Sequence, residues 1–269
     1  ATMLDRNFGG RRVQIVGGYK RLDELAAILK PFSYRCLKEE CLDLPEKTYV
    51  QREVELTDEQ KQTYSTMKAA ALASLNGKRA TAPHILTQLM RLHQITCGHL
   101  KNDDDTITAL KSNRINSLME LLEEVDGKVI IWANYIYDIK QIVAAIAKKY
   151  GEDSIVQYYG AIPSEMRQKY IETFQDPESK ARFFVGNPQT GGYGITLTAA
   201  KTVVYYSNGY DLEKRLQSED RAHRIGQKNL VTYVDLITPK TVDEKIRKAL
   251  RQKINIATEI MGEELRDWI

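Results

Sequence analysis

The sequence predicts an α/β protein with a largely parallel sheet covered by helices on both faces. From Ser112 onward, short apolar runs alternate with amphipathic stretches, the order that builds parallel strand–helix units. Helix starts are marked by Thr57-Asp-Glu-Gln60 and Thr241-Val-Asp-Glu244, both with capping-box spacing, and by Pro163 at a first turn. The 269 residues, 42% hydrophobic and 28% charged, suffice for one large or two modest domains with a real core.

Residues 1 to about 48 read as the end of a preceding unit. Leu22, Leu25, Ile28 and Leu29 make a short amphipathic helix that Pro31 stops. A polar link with Cys36 and Cys41 leads to a loosely patterned strand over 49–56. The Thr57 box opens a helix to about Leu75, closed by Asn76-Gly77, and a second helix runs from about Pro83 to Thr96. A loop spans 102–105. Helix 115–125 then precedes strand 128–133, and helix 137–149 precedes strand 154–159. The Pro163 helix reaches Phe174, strand 182–185 follows, and a glycine-bearing loop leads to Gly194. Strand 202–206, an arginine-bearing helix, strand 230–237 and a C-terminal helix complete the order. Tyr205, Tyr206 and Tyr233 fall in strands and are assigned to the core. Val242, Ile246 and Leu250 lie at helical spacing, so the last helix is expected to pack back on the body. Asp243 and Glu244 are read as its capping residues.

Net charge is +3. That permits a nucleic-acid partner without arguing for one. Three cysteines, an odd and sparse set, form no disulfide framework and suggest a reducing compartment. Cys97, His99 and His93 lack the second cluster that a zinc site needs, so no metal is expected. No apolar run approaches the roughly 20 residues of a membrane helix, and Arg6, Arg11 and Arg12 interrupt any leader-like apolar segment.

The most informative stretch is QSEDRAHRIGQ, Gln217 to Gln227. On a helix, Arg221 and Arg224 share one face, with Gln217 one turn earlier. Leu212 and Leu216 are expected to anchor that helix, and Gly226 to end it. Paired guanidiniums are suited to gripping phosphate; the bland reading is ordinary surface charge. Gly191, Gly192 and Gly194 follow a strand directly, where glycine permits positive φ and close approach to an anion. One reading is a tight turn. Another is a dinucleotide fingerprint starting at Gly192, with Asp211 downstream, but Leu197 holds the third glycine position.

QSEDRAHRIGQ resembles motif VI of the Swi/Snf-type DNA translocases, a branch of the superfamily-two helicases. KVIIWANY (Lys128 to Tyr135) resembles motif IV, and FVGNPQTGGYGITLTAA (Phe184 to Ala200) resembles motif V. YYGAIPSEMRQKYIETFQD resembles the segment between, with Gly160, Arg167 and Phe174 at the family's positions, and LKPFSYRCLKEECLDLPEK resembles its inter-lobe link. The resemblance implies a RecA-like lobe with an inserted helical subdomain between Thr57 and Cys97. The implied organisation is a first-lobe tail and linker over 1–48, the start of the second lobe with its protrusion over 49–111, the RecA-like lobe over 112–238 and a helical extension over 239–269.

It also implies arginine fingers at Arg221 and Arg224, assisted by Gln217, acting on ATP and Mg²⁺ held by an N-terminal RecA-like lobe. Gly192 and Gly194 would shape the wall facing the nucleotide. Gly160, Asn187, Gln189 and Thr190 would contact double-stranded DNA. Asn187-Pro188-Gln189-Thr190 and Tyr210-Asp211-Leu212 depart from the eukaryotic remodeller pattern and look more like the phage and bacterial branch, which implies a cytoplasmic setting, or a nuclear one in a eukaryote. A motor of this type needs a P-loop and an acidic Mg²⁺ box; Gly77-Lys78-Arg79 and Gly127-Lys128-Val129 lack the hydroxyl residue and upstream glycine. The chain is therefore expected to be an excised or split part of a motor, inactive alone. The alternative is a non-catalytic module that binds DNA or a partner.

Overall fold

The computed structural model describes residues 2–8, 11–18, 20–33, 42–76, 82–191 and 194–250. Cys36, Cys41, Gly77, Gly192 and everything beyond Leu250 lie outside them. The chain opens with an antiparallel ribbon, β1 (Thr2–Phe8) and β2 (Arg11–Gly18). The sequence reading missed it, because charges at Asp5, Arg6, Arg11 and Arg12 obscure the alternation around Gly9-Gly10. Helix α1 (Leu22–Leu29) ends just before Pro31, as expected.

The centre is one six-stranded, wholly parallel sheet. Its strands are β3 (Lys47–Glu53), β6 (Lys128–Trp132), β7 (Ile155–Tyr158), β8 (Phe183–Gly186), β9 (Ala200–Tyr205) and β10 (Val231–Ile237), in the order β3-β10-β9-β6-β8-β7. Successive residues of β6 point to opposite faces. Val129 and Ile131 join one core, with Leu118, Leu122, Ile139, Ile142 and Ile146 of α4 (Arg114–Glu124) and α5 (Ile136–Tyr150). Ile130 and Trp132 join the other, with Phe174 of α6 (Ser164–Gln175), Phe184, Leu197 and Tyr233. All four of these β6 side chains are fully buried, which is why VIIW carries no polar position. Tyr205 and Tyr206 are buried in these cores as well.

The insertion consists of α2 (Asp58–Asn76) and α3 (Ala82–Cys97). The expected capping box forms at its start. The Thr57 amide donates to Gln60 Oε1 at 3.1 Å, and the Gln60 amide donates to Thr57 Oγ1 at 3.2 Å. Buried Gln60 also donates from Nε2 to the Ile95 carbonyl at 2.6 Å, so one residue both caps α2 and ties it to α3. A small ribbon, β4 (His99–Lys101) and β5 (Ile107–Ala109), flanks the 102–105 turn; its strands are too short for periodicity to reveal. A last helix, α9, runs over 242–250. Its Val242, Ile246 and Leu250 pack with Leu92 of α3 and partly buried Tyr64, Met67 and Leu89, so the helix docks on the insertion.

Four expectations are corrected. The arginine helix, α8 (Leu212–Glu219), ends before either arginine. Leu216 is 40% exposed rather than an anchor; the buried stripe of α8 is Arg215, Ser218 and Glu219. The loop after β8 holds a four-residue helix, α7 (Pro188–Gly191). Asp243 is a buried ion-pair partner of Arg114, not merely a cap; its amide donates to Thr241 Oγ1 at 3.2 Å, while its carboxylate accepts from the Thr238 amide at 3.1 Å.

Candidate functional site

The arginines sit on a turn that is pulled away from α8. The Arg221 carbonyl accepts the Leu197 amide at 2.9 Å instead of continuing a helical ladder. Buried Gln227 donates from Nε2 to the carbonyls of Thr198, Ala200 and Ala222 at 3.0–3.1 Å, and Ala222 is fully buried. These bonds lash residues 221–227 to the chain entering β9. They carry the guanidiniums to the segment after Gly194: Arg221 Nη1 lies 3.4 Å and Arg224 Nη1 3.5 Å from the Ile195 carbonyl, and Arg224 Nη1 is 3.3 Å from Thr196 Oγ1. Gly194 has φ +72, a left-handed conformation that favours glycine. Two cations thus converge on one neutral acceptor. Burial, then the charge of Arg224, holds the Arg221 guanidinium below its usual pKa, with Asp220 offsetting part of the effect. An arriving anion would relieve that repulsion.

Gln217 does not join the pair. Its Nε2 donates to Glu213 Oε1 at 2.9 Å, one turn back along α8.

A second feature is a crevice of about 370 Å³ beyond the C-terminal ends of β6, β8 and β9. Neighbouring strands leave the sheet in different directions there, and open parallel sheets bind ligands at such points. Its lining includes Asn134, Tyr135, Asn187, Gln189, Asn208 and Lys214, with Met90 and His93 contributed by α3. Gly186 precedes Asn187 because a Cβ there would stand 2.7 Å from the Tyr158 carbonyl. Asn187 is largely occupied by structure: Nδ2 donates to the Asn134 carbonyl at 2.9 Å and Oδ1 accepts the Gln189 amide at 2.8 Å. That arrangement leaves Gln189 exposed and Thr190 half-buried at the rim. Gly160 is exposed in the loop after β7, and its carbonyl accepts Arg167 Nη2 at 2.7 Å, while Arg167 Nε holds the Ile162 carbonyl.

The crevice floor is charged. Arg215 is 5% exposed. It donates to Asn208 Oδ1 at 2.6 Å, to Asp235 Oδ1 at 2.5 Å and to Glu219 Oε1 at 2.7 Å. Tyr49 Oη donates to Glu219 Oε2 at 2.9 Å, and burial, then Glu219, raises the Tyr49 pKa. A second buried set ties α3 and β4 to the start of α5: His93 Nδ1 lies 2.9 Å from Tyr135 Oη, and His99 Nδ1 lies 2.9 Å from Asp138 Oδ1. Burial lowers the His93 pKa to about 4, against an opposing pull from Asp243.

Two domain families match this chain in succession. The SNF2-related domain matches residues 4–101, and the helicase conserved C-terminal domain matches residues 113–226. A putative ATP-dependent helicase/translocase of Bacillus subtilis, YwqA, is 31% identical over 264 residues, 93% of this chain and 28% of the relative. The chain belongs to the Swi/Snf-type helicase family.

A human SWI/SNF-related regulator of chromatin, subfamily A member 1, is 28% identical over 256 residues, covering 90% of the chain and 24% of the relative. The solved Sulfolobus solfataricus SWI2/SNF2 ATPase core in complex with dsDNA superimposes with TM-score 0.64 at 27% identity, over 90% of this chain and 52% of that one. The parallel sheet flanked by helices therefore matches the RecA-like fold of SWI2/SNF2 ATPase cores. This Swi/Snf-type chain spans about a quarter of the curated relatives' length. Among the described residues, no helix is long and apolar enough to cross a membrane, and no group of His, Cys, Asp and Glu is placed to hold a metal.

Reading the Swi/Snf-type sequence alone overlooked Arg215, Asn208 and Lys214. A spacing of i, i+3, i+4 at Arg215, Ser218 and Glu219 was the available signal: it marks a buried helical stripe whatever its polarity.

Proposed function

We propose that this chain is the C-terminal motor lobe of a double-stranded-DNA-dependent ATPase, completing a nucleotide site on a separate N-terminal RecA-like lobe. Residues 1–48 would then be the tail of that first lobe and the linker, 49–111 the start of the second lobe with its protrusion, 112–238 the RecA-like lobe, and 239–269 its extension. The observation that carries the reading is the convergence of Arg221 and Arg224 on the Ile195 carbonyl beside Gly194. Like charges held together on a tethered turn suit a polyphosphate, and no G-x-x-x-x-G-K-[ST] loop occurs in the sequence to cradle one here.

When bound to the partner lobe, Mg²⁺–ATP supplies the phosphoryl group to be transferred. Arg221 and Arg224 approach its γ-phosphate as the lobes close and neutralise charge developing in the transition state. Gly194 keeps the adjoining wall low, and Gly192, outside the described residues, is assigned to the same nucleotide-facing loop by its place in the motif. Gln217, at the end of α8, contributes only if lobe closure frees it from Glu213. DNA phosphates lie at the crevice rim, against Gln189, Thr190, the loop at Gly160, and the backbone that Asn187 holds. Such contacts position the duplex without reading bases.

The test joins this chain to a P-loop lobe and measures ATP turnover with and without duplex DNA. Turnover that DNA stimulates and that vanishes in Arg221→Ala/Arg224→Ala is the expected result. DNA binding without any turnover would instead identify a non-catalytic DNA-binding module.

A further inference from the structure

We propose that Arg215 is a positioning residue that couples the crevice to the arginine pair; this rests on the functional reading above. Asn208 and Arg215 both line the crevice. From there the connection is short and continuous. Asn208 Oδ1 accepts Arg215 Nη1 at 2.6 Å, and Arg215 Nε donates to Glu219 Oε1 at 2.7 Å. Glu219 closes α8, and its carbonyl accepts the Ala222 and His223 amides, each at 3.2 Å. Those two residues are the ones that separate Arg221 from Arg224. Arg221 in turn holds Leu197, and Gln227 ties the far end of the turn to Thr198 and Ala200.

The frame around this path is rigid. Asp235 of β10 accepts the same Arg215 Nη1 at 2.5 Å and Nη2 at 3.3 Å, and also accepts Asn208 Nδ2 at 2.8 Å. Glu219 is pinned by Tyr49 Oη at its second carboxylate oxygen and by Tyr233 Oη at its carbonyl, both at 2.9 Å. The Arg215 guanidinium lies over the Tyr205 ring, 3.4 Å from its centroid. Only a planar fork engages Asn208, Asp235 and Glu219 together. A ligand that draws Asn208 outward shifts the guanidinium, and Glu219 passes the shift to the backbone that presents Arg221 and Arg224. Coupling carried by one bonded chain of groups is a physical route between sites.

The experiment uses this chain joined to its P-loop lobe, comparing wild type with Arg215→Lys and Glu219→Gln. Lysine keeps the charge but loses the fork; glutamine keeps the shape and loses the charge, so it guards against a failure to fold. DNA-stimulated kcat is expected to fall about tenfold in both, the size of ordinary coupling between sites. ATP KM and the Kd for duplex DNA should stay within about twofold, the split that separates lost positioning from lost binding. Wild-type stimulation in a folded variant overturns the inference, as does a rise in KM and Kd in step with the fall in kcat. If the wild-type assembly shows no DNA-stimulated turnover, the functional reading fails and this inference falls with it.

Discussion

Arg114 on α4 and Asp243 at the start of α9, 129 residues apart in the sequence, form a buried ion pair with side chains 0% and 5% exposed. The same guanidinium donates to the Tyr206 carbonyl at 2.6 Å and to Thr238 Oγ1 at 3.0 Å, and Asp243 accepts Thr96 Oγ1 at 2.9 Å. One pair therefore joins the sheet, the insertion and the last described helix. Burial alone would raise the Asp243 pKa; Arg114, foremost among its partners, holds it below the usual carboxylate value.

Breaking that pair leaves a charge stranded in the interior. Arg114→Met is expected to cost about 3–5 kcal/mol, the usual penalty for an orphaned buried charge. Arg114→Met/Asp243→Asn removes the charge as well, while its amide oxygen, in the place of Oδ2, still accepts the Thr238 amide. It should recover a measurable part of the loss. Urea denaturation of the two variants checks the order, and a double variant less stable than the single one contradicts the account.

Arg224 is exposed. Arg224→Ala should therefore leave stability within about 0.5 kcal/mol. In the assembled motor it should lower ATP turnover by roughly 10³ to 10⁵, the worth of an arginine finger, with DNA affinity unchanged. A thermal melt, a steady-state assay and a DNA titration on the same preparation separate these effects. Normal turnover would remove Arg224 from the nucleotide site.

His93 sets an acid limit on stability. Burial takes its pKa from 6.5 down to about 4, so below 6.5 the unfolded chain binds a proton that the folded chain refuses. The stability associated with neutral His93 is present above pH 6.5 and is lost as pH falls towards 4. Asp138 acts in the opposite direction, since burial raises its pKa despite its bond to His99. His93→Gln removes only the first contribution. The wild type should lose about 1–3 kcal/mol more than the variant over that window. Denaturation midpoints at pH 7, 5.5 and 4.5 measure the difference; parallel curves would refute it.

The crevice predicts how DNA affinity depends on salt. Gln189 and Thr190 offer neutral donors, whereas Lys214, 3.4 Å from Asp211, offers a charge. Each neutralised phosphate contributes about −0.9 to the slope of log K against log salt. Gln189→Ala/Thr190→Val should weaken binding at every salt concentration with the slope unchanged. Lys214→Ala should make the slope shallower by about 0.9. Binding isotherms at four salt concentrations decide, and an unchanged slope in Lys214→Ala places the duplex elsewhere.

Much of this protein follows from the sequence alone. Strand and helix periods are local, so VIIW, the Thr57–Gln60 capping box, the Pro163 helix start and the alternation after Ser112 determine the parallel sheet and its two covered faces. Motif order likewise singles out Arg221 and Arg224. Tertiary structure decided the rest. Arg215 and Glu219 look like surface charges on an amphipathic helix until Asp235 and Tyr49, the latter 170 residues from Glu219, close around them. The turn holding the arginines looks helical until Leu197 and Gln227 claim its backbone. Burying a charge or diverting a carbonyl depends on partners distant in the chain, and no local pattern carries that information.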